Sequence, residues 1–271
     1  MNHERLLLCG LGVMQMNDFR NKPEYLIDLL EPEGYLFYVY DRAINAGSSL
    51  SNLVQTRPSF DRLVSMYKQP VSYFPLIQRN YHSFTHIIQG VRDIVETEVL
   101  CECTEDAINN VLLAWFYHDC VYSLNPATGT NEEDSAKFAL NELLQMGFSG
   151  ERAGRIYDLV LWTKHKINPP ENDYEANLIV DIDLQRISAC PVETFFMTTE
   201  TVREEFGFLS DKEWTEGRIK FWKSFLKLKG NRIFRTSHFE HLNKIAVDNI
   251  NKEIYSLEKS NFRKGDNNDG N

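Results

Sequence analysis

The chain has 271 residues, 42% of them hydrophobic and 12% aromatic, enough to bury a sizeable core in one large domain. Its 29 basic and 39 acidic residues leave a net charge of −10, which argues against a broad nucleic-acid surface built from clustered Lys and Arg. A small anionic substrate held by a metal and a few local cations stays open, and no apolar run of about 18 residues predicts a membrane span.

Taken in chain order, Leu6-Leu7-Leu8-Cys9-Gly10-Leu11-Gly12-Val13-Met14 is apolar but short. One Arg beside one Glu precedes it and no small-residue cleavage site follows, so it reads as structure rather than a leader. The five cysteines are Cys9, Cys101, Cys103, Cys120 and Cys190, an odd number without C-x-x-C spacing. They read as free thiols of a reducing, cytoplasmic compartment. Residues 1–50 read as an N-terminal extension holding a short strand or hairpin. Its best strand candidate is Tyr35-Leu36-Phe37-Tyr38-Val39-Tyr40, followed by the turn-like Asn45-Ala46-Gly47-Ser48-Ser49.

From about residue 51 to 260 the pattern turns helical, and the expected fold class is all-α. Residues 82–100 place Ile87, Ile88, Val91, Ile94 and Val95 at helical spacing. Residues 105–119 contain Val111-Leu112-Leu113-Ala114-Trp115-Phe116-Tyr117, apolar on every face, as in a central buried helix. Thr130-x-x-Glu133 is a capping box opening a helix through Leu144. Further helices are expected over 151–165, 175–189, 193–206, 212–229 and 239–258. Residues 261–271 read as a polar, disordered tail.

The residues suited to chemistry lie on these helices. His118-Asp119 ends the all-apolar helix, which delivers two metal-competent groups to the interior, where an ionised carboxylate needs a compensating cation or hydrogen bonds. A capping Asp beside a satisfied core His is the structural alternative. His82 and His86, at i and i+4, share one helix face with Gln89 and Asp93. That face meets either solvent or a cleft, and an imidazole pair so spaced is how a helix presents metal ligands. Asp181 and Asp183 point roughly 200° apart on a helix, so only one can face a given site. Asp183 shares its face with Ile179, Val180 and Ile187 and is chosen as ligand; Asp181 is assigned to the second shell or the surface. Asn131-Glu132-Glu133-Asp134-Ser135 opens a helix whose free N–H groups favour an anion, or simply caps it. His165 ends another helix, as a second-metal ligand or as a C-terminal capping group.

The order His … His-Asp … Asp resembles the HD superfamily of metal-dependent phosphohydrolases. The finer pattern is similar to a branch of HD hydrolases sometimes mislabelled as a receptor subunit. Its marks are Arg79-Asn80-Tyr81-His82-x3-His86-Ile87, Ala114-Trp115-Phe116-Tyr117-His118-Asp119-Cys120-Val121-Tyr122, Asn131-Glu132-x2-Ser135-Ala136 and Asp181-Ile182-Asp183-Leu184. Val202-Arg203-Glu204-Glu205-Phe206 and Glu240-x5-Ala246-x2-Asn249-Ile250-x2-Glu253 follow. The match runs from about residue 50 to 258 and departs at Phe206, where a Tyr is more usual. The resemblance implies an HD-domain-like helical bundle with a divalent metal on His86, His118, Asp119 and Asp183. It places His82, Glu132, Ser135 and His165 near the site.

Imidazole and carboxylate ligands suit Mn, Mg, Co, Ni, Fe or Zn without distinguishing them, and leave positions open for water and substrate. Catalytic roles are expected for Asp119, Glu132 and His82, with Glu132 as general acid or base. A second metal or a phosphate is expected at His165, Ser135, Arg79, Lys164 and Arg203; Arg79, Lys164 and Arg203 are otherwise ordinary surface charges. The expected function is metal-dependent hydrolysis of a phosphate ester, a nucleotide or other small phosphomonoester. A non-catalytic nucleotide- or protein-binding scaffold and a phosphodiesterase acting on a small cyclic nucleotide are the competing readings. No long nucleic acid and no membrane is expected as partner, and oligomeric state stays open.

Overall fold

The computed structural model describes residues 6–9, 12–15, 32–47, 53–100, 103–124 and 129–265. Ten α-helices carry the architecture among them: α1 (Pro32–Gly47), α2 (Leu53–Tyr67), α3 (Phe84–Leu100), α4 (Glu105–Tyr117) and α5 (Asn131–Gln145). They continue with α6 (Gly150–Trp162), α7 (Tyr174–Leu184), α8 (Val192–Glu205), α9 (Asp211–Lys229) and α10 (Asn243–Gly265). Strands β1 (Leu6–Cys9) and β2 (Gly12–Gln15) form one antiparallel hairpin, β3 (Ser72–Tyr73) and β4 (Leu76–Ile77) another. The fold is all-α, as the sequence predicts. No helix among the described residues is long and apolar enough to cross a membrane.

Helix α4 is the axis of the bundle. Thr104 caps it by accepting the Ala107 N–H, and its last seven residues, Val111 to Tyr117, are all buried. A helix apolar on every side needs neighbours on every side, and α1, α3, α5, α6 and α7 supply them. Side-chain caps at Thr130, Ser149, Asp173 and Ser210 start four of the other helices, the last as a reciprocal capping box with Glu213.

The strand expected at Tyr35–Tyr40 is not formed; those residues are the first half of α1. Pro at the first helical position and Glu33 in the first turn favour helix initiation. Tyr35, Leu36, Val39, Tyr40, Ala43 and Ile44 then fall on one buried stripe of period 3.6. The aromatic and β-branched composition that suggests a strand serves packing against α4 instead. The Tyr40 ring meets Phe116 edge-on at 5.2 Å, and its hydroxyl lies 2.7 Å from that of Tyr117 and 2.9 Å from Ser59 Oγ. Ser59 in turn donates to Glu142 Oε2 at 2.8 Å. A segment read as an extension therefore shares the core of the bundle. Of the tail read over 261–271, residues 261–265 continue α10 to Gly265, and residues 266–271 lie outside the described residues.

Helices α3 and α4 cross at Gly90. A Cβ there would stand 2.1 Å from the Trp115 ring, so only glycine allows the approach. The indole N–H crosses the contact to donate to the Ile87 carbonyl at 3.0 Å. This crossing sets the His86 and His118 rings 5.4 Å apart.

Candidate metal centre

His118 caps the C-terminus of α4 and Asp119 follows in the turn. Their backbone is fixed from three directions. Arg79 Nη1 donates to the Asp119 carbonyl at 2.8 Å, Tyr67 donates to the Phe116 carbonyl at 3.0 Å, and Ser135 Oγ both donates to Val121 O and accepts from Val121 N at 3.1 Å. Arg79 is buried between the rings of Tyr67 and Tyr122, at 5.2 and 5.4 Å from their centroids. These contacts correct two expectations. Arg79 and Ser135 hold the turn instead of facing a phosphate, because the carbonyls at the end of a buried helix need donors of their own.

His86 comes from the first turn of α3, buried to 4% exposure. His118 is 1% exposed and its Nδ1 donates to the Trp115 carbonyl at 2.7 Å, leaving the lone pair on Nε2. His86, His118 and Asp119 each offer a ligand atom within 4.8 Å of the others, a buried group able to hold a metal ion. Asp183, from the last turn of α7, presents Oδ1 3.3 Å from His86 Nε2 and 3.7 Å from His118 Nε2. Both Nε2 atoms are buried, and what they face is carboxylate oxygen, His118 Nε2 also standing 3.0 Å from Asp119 Oδ2. Imidazole nitrogens and carboxylates converging on one buried point are costly in a protein interior unless protons or a cation lie between them. A cation fits it.

Burial lowers the pKa of His86, favouring the neutral form that ligates. Burial also opposes the charged form of His118, but Asp119 and Asp183 override it and raise its pKa to about 9, so a cation at this point would have to displace a proton from its Nε2. Asp183 is held well below the usual carboxylate range, its burial outweighed by contacts with His165 and His86. Two ionised carboxylates thus face the point.

His82 does not lie on α3, which begins at Phe84, and so does not stack on the helix face of His86 as its i, i+4 spacing predicts. It sits in the preceding bend, parallel to the Tyr122 ring at 4.3 Å, with Nδ1 2.5 Å from Glu205 Oε2. Burial opposes its charged form, yet Asp119 and Glu205 raise its pKa. His165 is in the centre: Nε2 lies 2.8 Å from Asp183 Oδ2, on a backbone with φ 55°. A non-glycine residue costs roughly 1–3 kcal/mol in the left-handed region, and such strain clusters at functional sites. Asp181 is fully buried instead of at the surface, and it faces away from the centre. It accepts the N–H groups of Arg235 and Thr236 at 3.0 and 2.7 Å and the Thr236 hydroxyl at 2.7 Å.

A cavity of about 500 Å³ opens onto Asp119 and Asp183. His82, Glu132, Lys164 and His165 line it, Lys164 in an ion pair with Glu133 at 2.5 Å. Arg203 does not reach it, since its guanidinium donates to the Phe206 and Leu209 carbonyls at 2.7 and 2.9 Å. Three groups the sequence leaves without a role take one here. Glu205, 1% exposed, anchors His82, and Arg186 and Arg218 line the cavity while pairing with Asp93 and Glu253. The signal for Glu205 was a carboxylate beside Phe206 in an otherwise amphipathic helix; Arg186 and Arg218 carry none that local sequence reveals. None of the family models, curated proteins or solved structures compared with this chain matches it.

Proposed function

We propose that this chain is a metal-dependent hydrolase of a small phosphomonoester, of the HD type its His … His-Asp … Asp order resembles. His86, His118, Asp119 and Asp183 would hold the divalent cation, with Mn, Mg, Co, Ni, Fe and Zn all compatible with the donor set. The observation that carries the reading is the convergence of two buried imidazole Nε2 atoms and two carboxylates on one point. A bound divalent cation supplies charge for the phosphoryl oxygens and lowers the pKa of coordinated water.

The chain's own groups do the rest. Asp119 orients the attacking water, being both at the centre and on the cavity wall. His82, its Nδ1 anchored by Glu205, has Nε2 left to give a proton to the leaving oxygen. Glu132 is a second proton carrier on the same wall, and Lys164 and Arg186 offset the substrate's negative charge. His165 holds the second oxygen of Asp183 and would leave the first free to help hold a cation.

The test is metal analysis of protein purified without added metal, then a phosphate-release screen with Mn²⁺, Mg²⁺, Co²⁺ and Ni²⁺. Release that vanishes in His118→Ala and Asp119→Ala supports the reading. Absence of both metal and turnover overturns it.

A further inference from the structure

The cavity has a second wall, made by α8 and α9, that the proposed hydrolysis does not use. Phe195, Val202, Phe206, Trp214, Phe221 and Trp222 contribute ring and aliphatic surface to it. Several polar groups on the same wall are committed within the protein. Thr198 and Thr199 donate their hydroxyls back to the Thr194 and Phe195 carbonyls at 3.1 and 3.2 Å. The Trp222 indole N–H and Arg218 Nε donate to the buried Glu253 at 2.8 and 2.9 Å, and Glu213 accepts from Ser210. The Arg218 guanidinium lies 4.4 Å from the Trp222 ring centre and 5.5 Å from that of Trp214, a planar cation among indoles.

A site that selects a nucleobase or a sugar needs donors and acceptors placed to pair with it, because polar groups brought into an apolar pocket unpaired lose their water without compensation. This wall offers little of that. It offers apolar burial and stacking, which favour ring systems and aliphatic chains. The volume suits a phosphate with a group of one or two rings.

We infer, resting on the hydrolase reading above, that the substrate is the phosphate monoester of an apolar alcohol, aryl or aliphatic, and that the α8–α9 wall seats its apolar group. Gly217 makes the inference testable. It lines the cavity from α9 at an exposed position, and a Cβ there meets no atom within 4 Å, so a larger side chain can be added at the edge of the cavity without displacing the protein.

The experiment has a binding arm and a turnover arm. In the first, 1-naphthol is titrated into metal-free protein by calorimetry. Saturable binding with a negative heat-capacity change is expected, lost at least tenfold in Gly217→Phe while circular dichroism and thermal midpoint stay at wild-type values. In the second, metal-loaded enzyme is given 1-naphthyl phosphate, adenosine 5′-monophosphate and glycerol 3-phosphate, with at least tenfold higher kcat/KM expected for the first. Failure of 1-naphthol to bind, binding unaffected by Gly217→Phe, or better turnover of either polar ester overturns the inference. Binding of 1-naphthol without turnover of any ester removes the hydrolase and leaves the apolar pocket standing.

Discussion

Glu205 Oε2 stands 2.5 Å from His82 Nδ1 while Glu205 Oε1 accepts the backbone N–H groups of Tyr81 and His82 at 2.7 and 2.9 Å. One buried carboxylate on α8 thereby fixes both the ring and the backbone of a histidine 123 positions earlier. In Glu205→Gln one of the two charges that raise the His82 pKa is gone, Asp119 remaining, so the basic limb of the pH–rate profile moves to lower pH. Phosphate release falls roughly 10- to 100-fold, the usual cost of removing an orienting partner, while metal content is unchanged. A profile identical to wild type would exclude His82 as the proton donor.

Asp181 and Asp183 separate stability from ligation. Asp181→Ala leaves the Arg235 and Thr236 N–H groups without their acceptor, costing about 1–3 kcal/mol, with metal affinity retained. Asp183→Ala weakens metal binding at least tenfold, with a smaller loss of thermal midpoint in the metal-free protein. Urea titration and metal-binding calorimetry on both variants check the pair.

At the α3–α4 crossing, Gly90→Ala forces a methyl to 2.1 Å from the Trp115 ring. Overpacking of this kind costs about 1–3 kcal/mol, and the displaced helices weaken metal binding as well. Trp115→Phe in the same chain removes the indole atoms nearest the methyl, so the double variant recovers part of the loss. Thermal denaturation of the three variants measures it.

A cation bound only by the folded chain stabilises it by mass action, about 2.7 kcal/mol at a free concentration 100 times Kd. Added Mn²⁺ or Co²⁺ therefore raises the thermal midpoint, a chelator reverses the rise, and His118→Ala shows none.

Asp93 gives a pH prediction away from the ligands. Burial raises its pKa to about 6, with Arg186 only partly offsetting it. The folded chain therefore holds a proton that the unfolded chain has already released. That contribution to stability is complete below pH 4 and is lost as pH rises through 6. Asp93→Asn lacks this loss, so its stability relative to wild type grows between pH 4 and 7 by up to about 3 kcal/mol. A flat difference across that range would contradict it.

The helices were legible because their boundaries are written locally. Thr130 caps where the sequence says it should, and Val111–Tyr117 can only be a core helix. That Asp183 and Asp181 face different surroundings was legible for the same reason, since two residues so spaced on a helix point opposite ways. Burial of Asp181 was not, because its partners lie more than fifty residues away on the 235–236 segment. The same holds for Arg79 and Arg203, whose guanidiniums serve backbone carbonyls that no spacing rule identifies. Helix α1 was misread because its aromatic stripe suits a strand as well as a buried helix until α4 is there to receive it.

Tyr40 gives α1 a consequence beyond packing. It props the end of α4 through Phe116 and Tyr117, one residue short of His118. Cleavage after Gly47 would let that prop dissociate, leave the Tyr117 hydroxyl with Ser59 and without Tyr40, and loosen the turn bearing His118 and Asp119. A protease acting far from the cavity would then disturb the His86, His118 and Asp119 group while leaving all three residues on the longer fragment.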